Sequence, residues 1–145
     1  MLHKSIVALA ALIWGSAVAM AQGAKPNDAQ IAHIAYTAGQ IDIKAAELAL
    51  SKSKNKDVRA FAEDMVRDHK AVNEKALALV KKLNVTPQDN DTSKSLVKAA
   101  DEKEATLKKL DGAAFDKAYA DNEVAYHKTV NGALEKHAYS FCSEP

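Results

Sequence analysis

From Val58 to Leu83, apolar side chains recur at intervals that alternate between three and four. Val58, Ala62, Met65, Val72, Ala76, Leu79 and Leu83 form the series, and His69 holds its one polar place. On an α-helix that spacing gathers the residues into one stripe, whereas a strand would scatter them over both faces. Such a stripe is buried by packing against other helices. A second seam runs through Ile31, Ile34, Ala38, Ile41, Ala45 and Leu48, and a third through Leu96, Ala100, Leu107 and Leu110. The reading is an all-α, antiparallel helical bundle with four helices. The first opens at Asn27, and the others span about Asp57–Leu83, Thr92–Leu110 and Ala113–Lys136. Pro26 precedes the first helix, and Asn27 with Gln30 has the spacing of a capping box. Ser51–Lys56 is short and polar, which turns the second helix back against the first. Asn84–Asp91, with Pro87, is the main loop, and Gly112 punctuates before the last helix. Only 5 Gly and 3 Pro occur, and 6% of residues are aromatic, which suits long helices and not a sheet.

The N-terminus reads as a targeting segment. Lys4 supplies a positive start, Ile6 to Trp14 a short apolar run, and Ala19, Met20 and Ala21 a small-x-small cleavage site. The expected organisation is a signal peptide at 1–21, a helical bundle domain at 22–136, and an atypical tail at 137–145. The apolar run is short for a bilayer crossing and no second candidate follows, so no transmembrane span is expected after cleavage. The protein is accordingly read as exported to a bacterial periplasm. Its single cysteine, Cys142, allows no internal disulfide, so stability rests on helix packing. The 20 basic and 19 acidic residues nearly cancel, and losing Lys4 with the signal makes the mature chain formally neutral. Polyphosphate partners demand a basic excess, so nucleic acid is not an expected ligand.

Residues 60–73 and 118–131 align without a gap at an offset of 58, with seven of fourteen positions identical, which reads as a duplicated helical element. The repeat equates His69 with His127 and Met65 with Glu123. Carried over from the second helix, the seam of the fourth reads Ala120, Glu123, His127, Val130 and Leu134. His69 and His127 are then expected to face one interior, closer to each other than to His33 or His137.

Several marks on these helices belong together: Gly39 and Asp42 in the first; Val58, Phe61, Met65, Val66, Asp68 and His69 in the second; Phe115, Asp116, Tyr119 and His127 in the fourth. In these the chain resembles a family of bacterial exported proteins catalogued as domain of unknown function 4142 and usually described as ferritin-like. The resemblance covers most of the mature chain. It implies a periplasmic or envelope-associated helical bundle of unestablished biochemical role. Family members continue into a further C-terminal helix with its own histidine. Here the sequence runs from His137 to Pro145 without that helix's pattern, so the expectation is a bundle lacking its last partner. Its uncovered helix face would favour a homo-oligomer.

The chemistry-bearing residues admit two readings. In one, His69 and His127 are half-buried groups hydrogen-bonded across the bundle to Asp, Glu or Tyr, and they set helix register. In the other they ligate a metal, Zn or Fe, with Glu123 one turn from His127 and Asp42 reaching in from the first helix. Di-iron carboxylate bundles place a Glu three residues before each ligating His, and this chain has Gln30, Val66, Val124 and Leu134 there, which favours the structural reading. Asp68 and His69 are adjacent and diverge by about 100° on a helix, so they form no relay. Gly39, Gly112 and Gly132 belong to no phosphate-binding pattern, no Ser or Cys sits in a nucleophile motif, and Met65 suits the core. The sequence therefore reads first as a non-enzymatic exported bundle without a cofactor, envelope or stress related. The alternative is a ferritin-like metal-binding protein.

Overall fold

The computed structural model describes residues 26–142, with side chains through Gly132 and at Glu135. The signal peptide, the side chain of Leu134 and the side chains of the tail lie outside the described residues. Four helices form among the described residues: α1 (Asp28–Lys52), α2 (Lys56–Lys82), α3 (Asp91–Leu107) and α4 (Gly112–Cys142). The capping box that opens α1 is present, with the Gln30 N–H donating to Asn27 Oδ1 at 2.9 Å and the Asn27 N–H to Gln30 Oε1 at 3.1 Å. Asn55 caps α2 by accepting from the Asp57 and Val58 N–H groups. A second box, Asn90 with Ser93, starts α3 one residue before Thr92. Ser93 was legible as a partner only after this start is known, because the box normally carries Glu or Gln at that place. Two ends differ from the sequence reading. α3 stops at Leu107, so Leu110 packs from the connecting turn, and α4 continues past Lys136 to Cys142. Gly112 takes φ +54°, a left-handed conformation that glycine adopts without steric cost and that turns the chain from α3 into α4.

α1 packs against all three other helices. Its buried residues are mostly small: Ala38, Gly39, Ala46 and Ala49, with Thr37, Asp42 and Ile43. The central line is therefore Gly39, Asp42, Ala46 and Ala49, one residue round from the expected seam. Ile31, Ile34, Ile41, Ala45 and Leu48 flank it half-buried. Large side chains on the central line would hold the neighbours away, so the apolar bulk moves to the flanks. Gly39 makes the closest approach, since a Cβ there would meet Asn73 Oδ1 at 2.5 Å. Around Ala46 and Ala49, the core is completed by Ala62 and Met65 of α2, Leu107 of α3, and Phe115 and Tyr119 of α4. Phe115 is fully buried and stacks on Tyr119 at 6.2 Å between ring centroids, contributing on the order of 2 kcal/mol through its burial alone.

The α2 seam holds from Val58 to His69 and then shifts. Asn73 is buried, while Val72, Leu79 and Leu83 are 60%, 55% and 61% exposed. A strict three-four series drifts round a straight helix by about 20° per heptad, so its far end leaves the interface unless the helices supercoil. On α4 the inward line passes through Phe115, Tyr119, Glu123, Tyr126 and Val130, and Ala120 is exposed. Cross-helix polar contacts tie the frame. Arg59 donates to the carbonyls of Leu50 and Ser53 at the end of α1, and Lys44 bridges Asp101 and Glu104 of α3. No described helix is long and apolar enough to cross a membrane.

Candidate metal centre

Halfway along the bundle the apolar core gives way to a polar layer. Asp42 enters from α1, His69 from α2, and Glu123 and His127 from α4. The two imidazoles paired by the repeat meet here, with ring centroids 6.0 Å apart, while the His137 side chain lies outside the described residues. One donor atom from each of Asp42, His69 and His127 can be chosen so that all lie within 4.8 Å of one another. His69 Nε2 lies 3.5 Å from Asp42 Oδ2, too far for a well-formed hydrogen bond but close enough to share a cation. His127 Nδ1 lies 2.9 Å from the Glu123 carbonyl oxygen. When that nitrogen carries the proton and donates it, Nε2 is left as the free lone pair, as in ligating histidines whose second nitrogen is held by a backbone carbonyl. Glu123 stands beside the trio and outside it. Its Oε2 is 4.0 Å from His127 Nδ1.

The electrostatics of the layer favour a cation. Asp42 is buried and Glu123 is only 3% exposed. Burial raises the Asp42 carboxyl above its ordinary range, against the pull of His69 and His127. Burial, reinforced by the negative charge of Asp42, pushes Glu123 up to about 7. Two buried carboxyl groups beside each other repel, and a bound cation relieves both. Among the described residues, Glu123 Oε2 has no hydrogen-bond partner, and the same holds for the Tyr119 hydroxyl, which is 1% exposed, and for Asn73 Nδ2. Buried polar atoms left unpaired are uncommon and call for a partner. The donor set of two imidazoles and one carboxylate, with a second carboxyl beside it, suits Zn²⁺ or iron.

Three nearby residues were given no site role by the sequence reading, although Tyr119 was among the marks of the family resemblance. Asn73 lies flat against Gly39, one turn beyond His69. Tyr126 donates its hydroxyl to the Ala38 carbonyl at 3.1 Å and so ties α4 to α1 beside the layer. Tyr119 approaches from the apolar side, its ring 6.2 Å from Phe61. Asn73 closes the repeat as one of its identical positions, and Tyr119 is the repeat partner of Phe61, so both carried a signal. Nothing in the seam marked Tyr126. His33 lies apart from the layer, with Nδ1 3.5 Å from the Thr37 hydroxyl, on a groove of about 680 Å³ between α1 and α3.

The fold and layer together define an all-α bundle whose histidines and carboxyl groups meet between three helices. The chain belongs to the family described as domain of unknown function DUF4142, which it matches over residues 15–142. No curated protein and no solved structure matches it.

Proposed function

We propose that the protein is an exported, non-enzymatic metal-binding bundle that holds one Zn²⁺ or iron ion between α1, α2 and α4. Asp42, His69 and His127 are the ligands, with Glu123 beside them as a second negative charge. The observation that carries this reading is the convergence of these three donors within 4.8 Å, with Asp42 buried and the two imidazoles half-buried. A register-setting histidine pair explains the two rings, but it leaves Glu123 buried and unsatisfied against a second carboxyl. An ion explains all four groups. Export rests on Lys4, the Ile6–Trp14 run and the Ala19 to Ala21 triplet, and an envelope or stress role is the setting proposed for the ion. The expected result is a chain recovered by osmotic shock that begins at Gln22 and carries about one Zn or Fe per molecule by elemental analysis. An intact Met1 form in the membrane fraction would overturn export, and metal-free protein after purification without chelators would overturn ion binding.

Self-association through α2 is the second element of the proposal. Val72, Leu79 and Leu83 keep their seam spacing while facing outward, which makes one continuous apolar stripe. Sedimentation of the wild-type chain at micromolar concentration is expected to give a dimer or larger species, and the paired change Val72→Glu and Leu79→Glu to give a monomer. Identical sedimentation of the two proteins would remove this element and leave the ion site untouched.

A further inference from the structure

We infer that the ion centre has three protein ligands and keeps its remaining coordination for a small external ligand, water-sized or diatomic, which the Tyr119 hydroxyl holds by a hydrogen bond. The inference rests on the proposed ion binding at Asp42, His69 and His127.

Its first support is the ligand count. Two histidines and one carboxylate leave positions open on either metal. Four protein ligands close a tetrahedral site, whereas three plus an exchangeable position mark sites that admit a guest, and the two-histidine, one-carboxylate set is the form that serves open iron(II) centres. Glu123, the further carboxyl beside His127, falls outside the converging set. Its backbone carbonyl is the partner of His127 Nδ1, and its Oε2 lies 4.0 Å from that same nitrogen, toward the ring edge engaged with α4. When Nδ1 donates to that carbonyl, Nε2 is the ring nitrogen left for the ion.

The second support is independent of the donor count. Tyr119 and Glu123 are one helical turn apart on the inward line of α4, and each is almost wholly enclosed. Each also has an oxygen with no partner among the described residues. Tyr126, by contrast, has its hydroxyl satisfied by Ala38. A phenol that is buried without a hydrogen bond forfeits its solvation unless something occupies the space beside it. Burial raises the Tyr119 phenol well above its usual range, with the charges of Glu123 and Asp42 adding to the effect, so it stays protonated and serves as a donor. A guest bound on the α4 side accepts that proton in a hydrogen bond. If the guest is water, it also donates to Glu123 Oε2, so a single molecule satisfies both orphaned atoms.

The test uses the full mature chain loaded anaerobically with iron(II) and titrated with nitric oxide, read by the high-spin iron–nitrosyl EPR signal. The expected result is a saturable signal in the wild type. Tyr119→Phe is expected to bind iron(II) within about twofold of wild type and to need about tenfold more nitric oxide, the cost of one hydrogen bond. Tyr126→Phe is expected to match wild type in nitric oxide affinity. A wild-type centre that binds iron(II) but gives no signal, with the signal appearing in Glu123→Gln, would show that Glu123 closes the sphere and would overturn the inference. Equal nitric oxide affinity in Tyr119→Phe and wild type would overturn the role of Tyr119. If iron(II) does not bind at all, the ion reading itself fails. Circular dichroism melts of each variant separate these outcomes from loss of fold.

Discussion

Excess Zn²⁺ is expected to raise the melting temperature of the full chain by on the order of 10 °C, and Asp42→Ala, His69→Ala and His127→Ala are each expected to abolish that rise. An ion present at one hundred times its dissociation constant adds about 2.7 kcal/mol to the folded state. For a domain of this size each kcal/mol moves the midpoint by roughly 3–5 °C. The variants are most informative with chelator present. Without an ion, Asp42 is a buried carboxyl whose lost solvation outweighs the pull of His69 and His127, so Asp42→Ala is expected to be neutral or slightly stabilising there and strongly destabilising with Zn²⁺. A change of sign between the two conditions is the signature of a ligand. Calorimetry in which the histidine variants lose the same stability with and without chelator would instead make the pair a structural contact.

A second large effect is expected from pH. Glu123 ionises at its ordinary 4.5 in the unfolded chain and at about 7 in the folded one. Between those values the folded state holds a proton that the unfolded state has released, so stability falls as pH rises and is fully present only below about 4.5. The interval corresponds to about 3 kcal/mol at most. With chelator present, urea midpoints are therefore expected to drop between pH 4.5 and pH 8, and Glu123→Gln to flatten that drop. Saturating Zn²⁺ is expected to offset it, because the ion favours the ionised carboxyl. A wild-type profile as flat as that of Glu123→Gln would show that the Glu123 carboxyl is solvated and its neighbours do not perturb it.

The number of helices and most of their ends could be read from the sequence because caps and loops are local. Asn27 with Gln30, Pro87 and Gly112 act within a turn of their own positions. Which face of each helix turns inward was less legible, because it depends on neighbours. A three-four apolar series marks α1 correctly as amphipathic, yet Gly39, Asp42, Ala46 and Ala49 take the central line because small residues admit closer helices. The same limit explains α2 beyond His69, where periodicity alone favoured Val72 over Asn73. In the polar layer, the repeat was enough to pair His69 with His127. Asp42 could be named from the family resemblance and its residue type. Tyr119 was marked by the same resemblance but without a role, and Asn73 only by the repeat, because aromatic and amide side chains acquire a role only once the carboxyl groups beside them are known to be buried.

The departure from symmetry within the repeat has a consequence for how such a layer can be assembled. Two identical hairpins related by a twofold axis would present every side chain twice. The twin of Glu123 would then be another Glu, and a layer that already strains to hold two carboxyl groups would have to enclose more. In the single chain that twin is Met65, a buried thioether in the apolar core. Joining both copies in one polypeptide thus lets an acid be used once. The imidazoles stay matched while the negative charge stays lopsided, concentrated where α1 and α4 meet. A copy of Glu123 installed by Met65→Glu would restore the symmetry and bring in the repulsion that the covalent linkage allows this molecule to avoid.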